Sequence, residues 1–256
     1  MIESLLDTDL YKLTMQAVLF SAQEAYGSLP ARYEFTNRGG NRFTPAAAKA
    51  IEASVLQLAT LQLTEEERAF LESTDLFQPD FIDYLRRFRF NPAQQVTVTF
   101  TPTEEDGTGS LDIAIEGMRC RTLVPFPSCS RRRPGSWLET ILYEIPVMAI
   151  ISETYFNTVD TQWDYSGQFE LAKEKGRQLF ETRCLLSEFG SRRRRSYKSQ
   201  EIVLRGLLEM SKEMEGKGKG KLVGTSNVHF AMLMGLKPIG TMAHGECCIS
   251  SSFRKD

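Results

Sequence analysis

The sequence predicts an α/β protein in two parts, an N-terminal α+β domain followed by βα units with parallel strands. Two observations carry this. Val96–Phe100 and Leu111–Gly117 each alternate apolar and polar residues around a turn containing Asp106-Gly107, which spells an antiparallel hairpin. Further on, short apolar runs at 185–190, 221–227 and 237–244 alternate with helical patterns. Strand–helix–strand at this spacing implies parallel strands, in an open sheet or a (β/α) barrel.

Taken in order, the first helix is expected from Asp7 to about Phe20. Asp7 is its cap, and Leu10, Leu13, Ala17 and Phe20 form its apolar stripe. Tyr33 and Phe35 alternate as in a strand, and Gly39-Gly40 make a turn, with Thr36, Asn37 and Arg38 as a polar cluster beside it. Helices are expected from Pro45 to about Thr60, from Thr64, and from near Pro79. Thr64 and Glu67 have the spacing of a capping box. The hairpin closes a domain spanning 1–117.

Residues 118–135 fit no period and hold two prolines in three residues, two cysteines and an arginine triplet. The apolar segment from Trp137 reads as helix, bent near Pro146. In the helix after residue 198, Val203, Leu204, Leu207, Leu208 and Ser211 share a face, and Ser226/Asn227 cap the helix that starts at Val228. The second part is thus 136–244, with 245–256 a tail of no pattern.

Bulk properties narrow the function. At 256 residues the chain can bury a real core, and its net charge of −2 gives no global pull towards nucleic acid or anionic membrane. The N-terminus lacks the basic and apolar regions of a signal peptide, and Ile141–Ile151 is too short and too polar to span a bilayer, so a cytoplasmic or nuclear protein is expected. Five cysteines without a CxxC, and only two histidines, argue against a metal site.

In βα folds the chemistry sits at the C-terminal ends of the strands. Those ends carry Gly190–Arg193, Gly224–Asn227 and Gly240–His244, all polar or glycine-rich, which suits an anionic ligand. Arg192–Arg195 could fork onto phosphate or carboxylate, or could simply be a solvated helix start or a nuclear-localisation-like patch. His244 ends a strand where catalysis is expected, although a lone histidine is more often structural. Tyr11 lies beside the apolar stripe and reads as a surface or interface aromatic. Thr225, Ser226 and Asn227 could bind a ligand or serve as caps. The residues alone support an enzyme acting on a phosphorylated or carboxylated small molecule. A nucleic-acid binder using Arg131–Arg133 and Arg192–Arg195 is the rival reading, opposed by the net acidity and the lack of interleaved aromatics.

Six stretches together resemble the nicotinate phosphoribosyltransferase family: DTDLYKLTMQ (7–16), YEFTNRG (33–39), WLETILYEIP (137–146), SEFGSRRRRS (187–196), GTSN (224–227) and KPIGTMAH (237–244). The resemblance implies the type II phosphoribosyltransferase fold, an N-terminal α/β domain on an irregular α/β barrel, here incomplete. It implies that nicotinate attacks C1 of 5-phosphoribosyl-1-pyrophosphate, giving nicotinate mononucleotide and pyrophosphate, coupled to ATP hydrolysis with Mg2+. His244 would be the phosphorylated histidine, Thr241 a nicotinate contact, and Tyr11 the aromatic packed on the nicotinate ring across a homodimer interface. Arg192 and Arg193 would meet the nicotinate carboxylate and the phosphates. Ser226 and Asn227 fall in the matched GTSN stretch. Nicotinamide or quinolinate phosphoribosyltransferase are the near alternatives.

Two departures stand out: residues 118–135 intervene between IEG and WLET, and the family's HEW after the histidine is here HGECCISSSFRKD. Both read as translated introns. Gly117-Met118 can be encoded GGT-ATG and Pro134-Gly135 CCA-GGN, while Gly245-Glu246-Cys247 can be GGT-GAG-TGY, each matching a splice signal. Excising 18 residues keeps the frame and rejoins IEGSWLET. Genomic sequence lacking GT at either point sinks this reading. On it, the chain is truncated, with open core surface and little or no activity.

Overall fold

The computed structural model describes residues 1–22, 31–103, 106–116, 137–217 and 219–241. The stretches 118–135 and 245–256, and with them His244, lie outside the described residues.

The N-terminal part is built on the antiparallel sheet β1-β3-β2: β1 (Arg32–Glu34), β2 (Val96–Pro102) and β3 (Gly109–Glu116). The hairpin pairs Val96 with Ile115 and Pro102 with Gly109. Alternation turns Leu111, Ile113 and Ile115 inward to a core shared with α1 (Leu10–Ser21), α2 (Pro45–Gln57), α3 (Glu65–Ser73) and α4 (Pro79–Arg87). The capping box expected at Thr64 and Glu67 is present, each side chain bonding the other's backbone N–H. A further short helix, α5 (Pro92–Gln95), leads into β2.

The apolar segment from Trp137 is interrupted earlier than its proline suggests. Helix α6 (Trp137–Thr140) passes through a 3-10 turn at Ile141–Tyr143 into α7 (Glu144–Thr158). Pro146 thereby falls in the first turn of α7, where its missing N–H costs no helical bond. The first helix also starts later than expected. Asp9 is its N-cap residue, and Asp7 instead lies buried at the join with the second part.

The second part carries a parallel sheet in the order β4-β5-β6: β4 (Leu185–Glu188), β5 (Lys221–Thr225) and β6 (Lys237–Pro238). The parallel pairing expected from the βα rhythm is present. Helix α8 (Gln168–Glu181), not anticipated from the sequence, packs along α9 (Tyr197–Glu213). A Cβ at Gly206 would sit 2.8 Å from the Phe169 carbonyl oxygen, so glycine lets these helices close on each other. The face that α9 buries is Gln200, Leu204, Gly206, Leu207 and Met210. Val203 and Leu208 flank it half-buried, and Ser211 accepts a bond from the Leu222 amide. Helix α10 (Val228–Met234) follows β5 directly, with Asn227 as its side-chain cap on the Phe230 amide. At Gly224 a Cβ would lie 2.0 Å from the Lys237 carbonyl oxygen, so only glycine lets β6 approach β5 there.

The two parts are sewn together by the first nine residues. The Leu10 amide donates to Ser226 O, Val228 to Thr8 O and His229 to Leu6 O. This docks the N-terminal segment against the end of β5 and the start of α10.

Candidate active site

Between the antiparallel sheet and α7 lies an open cleft of about 730 Å³. One wall is the β1 edge and the following turn, Tyr33 to Asn41, and the other is α7 with Arg192 and Arg193 from the turn after β4. Both walls carry cations, Arg38 on one side and the two arginines on the other, beside the carboxylates Glu34 and Glu144.

The arginine run is divided by its backbone. Ser191–Arg193 form a 3-10 turn and Arg194 is extended at φ −63°, ψ 140°, which sends neighbouring side chains to opposite sides. Arg194 goes inward, 5% exposed, and forks onto both carboxylate oxygens of Asp7 at 2.8 and 2.7 Å, with a further bond to the Met1 carbonyl at 2.8 Å. Arg195 lies outward over the rings of Phe156 (4.6 Å) and Trp163 (5.4 Å). Arg192 is half exposed and its Nη1 reaches Glu144 Oε1 at 3.3 Å. Arg193 lines the cleft. The run is therefore not one solvated basic patch, which weakens the nucleic-acid reading. Its other half, Arg131–Arg133, lies outside the described residues.

Tyr11 and Arg192, singled out separately in the sequence, meet at one carboxylate. Tyr11 Oη donates to Glu144 Oε1 at 3.3 Å, and Lys12 Nζ bonds Glu144 Oε2. Burial and then the Glu144 charge hold the Tyr11 hydroxyl well above the ordinary tyrosine pKa, so it stays a proton donor. Lys12 is 4% exposed, and burial pulls its pKa down despite Glu144. Its ammonium lies 4.9 Å from the Tyr11 ring centre and 5.6 Å from that of Tyr33. Burial also pushes the Tyr33 hydroxyl up to about 12, and that hydroxyl accepts from Trp137 Nε1 at 2.7 Å. Glu144 and Lys12 were not singled out from the sequence. Glu144 read only as a polar break in an apolar segment, and Lys12 appeared only within the matched stretch DTDLYKLTMQ. The signal was a lysine on the apolar flank of α1.

The strand ends are held by a second buried carboxylate. Glu188, the last residue of β4, accepts from Thr225 Oγ1 at 2.6 Å, from Gln200 Nε2 at 3.1 Å and from the Gly190 amide. Burial raises its pKa. It ties the ends of β4 and β5 to the turn that presents Arg192 and Arg193.

Ser226 and Asn227, anticipated as substrate contacts or caps, are fully buried. Ser226 Oγ donates to Asp9 Oδ1 at 2.7 Å. Asn227 Nδ2 donates to Asp7 Oδ1 at 2.8 Å while its Oδ1 caps α10. Their side chains join the two parts rather than line the cleft. Thr241, past the end of β6, is exposed, and the Ile239 amide nearby donates to Thr225 O at 2.9 Å. Among the described residues, no group of three His, Cys, Asp or Glu side chains is placed to hold a metal ion. No helix among them is long and apolar enough to cross a membrane.

Comparison with known proteins points one way. Residues 6–124 match the model of the nicotinate phosphoribosyltransferase N-terminal domain, and 184–251 that of the nicotinate phosphoribosyltransferase family. The nicotinate phosphoribosyltransferase of Saccharomyces cerevisiae is 37% identical over 95% of this chain and 53% of its own length. A crystal structure of the protein so described from the same yeast superposes with a TM-score of 0.83 at 35% identity, covering 95% of this chain and 55% of that one. The nicotinate phosphoribosyltransferase of Porphyromonas gingivalis gives 0.75 at 31% identity, over 95% and 54%. The chain spans about half the length of the relatives it matches. With one family matched at both ends of the sequence and that family's fold shared across nearly all of it, the chain belongs to the nicotinate phosphoribosyltransferase family.

Proposed function

We propose that this chain carries the nicotinate- and phosphate-holding part of a nicotinate phosphoribosyltransferase, which joins nicotinate to C1 of 5-phosphoribosyl-1-pyrophosphate and releases pyrophosphate. The observation that supports this best is the meeting of Tyr11 and Arg192 at Glu144 on the wall of a cation-lined cleft. A half-exposed guanidinium suits the nicotinate carboxylate bidentately, and Arg193 beside it suits a phosphate. The Tyr11 ring is the platform for the pyridine, with its hydroxyl kept protonated by burial. The resemblance has this ring reach a partner subunit in a homodimer; within one chain its hydroxyl meets Glu144. Holding the two reactants in register and stabilising the departing diphosphate is the task of such a site, since the transition state is oxocarbenium-like.

Thr241 completes the nicotinate contacts in this reading, and the neutral imidazole of His244 attacks the terminal phosphorus of ATP, releasing ADP and giving a phosphohistidine that water later cleaves to phosphate. Among the described residues no group of three His, Cys, Asp or Glu side chains is placed to hold Mg2+. Ser226 and Asn227 serve the fold. The cytoplasm, with the nucleus second, is the compartment that fits the reading.

Equilibrium dialysis of labelled nicotinate against the purified chain, with nicotinamide and quinolinate as competitors, tests this. Nicotinate should bind and the other two should compete poorly. Binding of none of them, or preference for nicotinamide or quinolinate, overturns it. Retention of RNA or DNA that is lost with salt would favour the basic-patch reading.

A further inference from the structure

The roles assigned so far leave Glu144 without one, although three donors converge on it, Tyr11 and Lys12 from α1 and Arg192 from the turn after β4. We propose that Glu144 is a positioning residue of the substrate site: its carboxylate fixes the Tyr11 hydroxyl and the Arg192 guanidinium relative to each other, and the buried Lys12 ammonium fixes Glu144. This rests on the reading of the cleft as a nicotinate site.

Glu144 opens α7, a helix of 15 residues whose first turn is immobilised by the buried Ile145, Pro146 and Val147. The backbone under the carboxylate is therefore rigid, and a carboxylate at a helix start is favoured by the exposed amides there. Lys12, one residue beyond Tyr11 on α1, is walled in by the rings of Tyr11 and Tyr33. A buried ammonium needs a counter-charge, and Glu144 supplies it. One Glu144 oxygen faces Lys12, while the other takes both Tyr11 Oη and Arg192 Nη1 at 3.3 Å. Arg192 is a long side chain, half in solvent, reaching the cleft from a turn. Tethered at one Nη, it keeps its remaining N–H groups to offer an anion. Untethered, it would spread over its rotamers and pay their entropy again on binding.

Removing the charge of Glu144 does not simply make the wall more cationic. Burial already pulls the Lys12 pKa down, and losing the Glu144 charge removes the attraction that opposes this, so the added positive charge is partly offset.

The test compares the full chain with Glu144→Gln, Arg192→Met and the double variant. Nicotinate affinity is read by equilibrium dialysis and the Arg192 Nε–H signal by NMR on arginine-labelled protein. Glu144→Gln should weaken nicotinate about tenfold, the worth of one charge-assisted hydrogen bond. In the Arg192→Met background it should cost nothing more, because the glutamine Oε1 still accepts from the Tyr11 hydroxyl and the lost charge acts through Arg192. The Arg192 signal should move to the position of a free side chain. An equal loss in both backgrounds, or an Arg192 signal as ordered as in the unaltered chain, overturns the proposal. Should Glu144→Gln fail to fold, Lys12→Met/Glu144→Gln replaces the pair by uncharged groups of similar size and carries the same comparison. An unaltered chain that binds no nicotinate refutes the proposed function, whereas the Arg192 signal still decides the role of Glu144.

Discussion

Two arginines separated by one residue meet carboxylates in opposite ways. Arg194 and Asp7 are both almost inaccessible and share a two-pronged bond at 2.7–2.8 Å. Arg192 is half exposed and touches Glu144 through one nitrogen at 3.3 Å. The first geometry fits a joint between the two parts of the molecule, since Asp7 also holds Asn227. The second fits a group held in readiness for a ligand. A run of four arginines thus has no single function, and its alternating directions decide which member does what.

The sharpest way to break this comparison is to remove Asp7. Asp7→Ala leaves Arg194 buried without its counter-charge and should cost about 3–5 kcal/mol in urea unfolding. A loss near zero would end its role as a joint. His229 gives a subtler probe of the same region. It is buried beside Glu67, 3.8 Å from Nδ1, and next to Tyr197, with Asp7, Glu3 and Arg194 in electrostatic reach. Burial pulls its pKa below the ordinary 6.5, so folding favours the neutral ring. Its stabilising contribution is complete above 6.5 and is lost as pH falls through the lowered value, with a slope of at most about 1.4 kcal/mol per pH unit. Histidine 229 replaced by leucine (His229→Leu) should flatten that slope in denaturation series run between neutral pH and the acid range. Arg192→Met, by contrast, should change stability by less than about 0.5 kcal/mol while weakening nicotinate retention in dialysis by at least about tenfold. Added salt should separate the two pairs most gently. It should weaken nicotinate retention through Arg192 while leaving the contribution of the buried Asp7–Arg194 pair, read as the cost of Asp7→Ala, unchanged.

The local architecture was legible because local rules govern it. The hairpin followed from alternation around Asp106-Gly107, and the start of α3 from Thr64 and Glu67. The parallel strands followed from the βα spacing. What failed was decided at long range. Asp7 has the chemistry of a cap, and only its burial against Arg194 reassigns it. Ser226 and Asn227 were open between ligand contact and cap: Asn227 does cap α10, and only the long-range bonds to Asp9 and Asp7 show what else the two side chains hold. Helix α8 escaped notice because its buried positions are few: Ala172, Gly176 and Phe180. In the site, Arg192 was found from its place in an arginine run at a strand end, and Tyr11 took its role from the family resemblance. Glu144, which unites them, lies in the matched WLETILYEIP stretch but was given no role.

The stitched N-terminal segment has a consequence for the order of assembly. Ser226 Oγ bonds Asp9 across 217 residues of sequence and Asn227 bonds Asp7 across 220. During synthesis Asp9 and Asp7 therefore wait for partners that follow 217 and 220 residues later before they find their place. Until β5 and α10 emerge, Leu5, Leu6, Asp7 and Asp9 have no permanent partners there, and the growing chain displays an apolar and acidic leader to whatever chaperone is nearest.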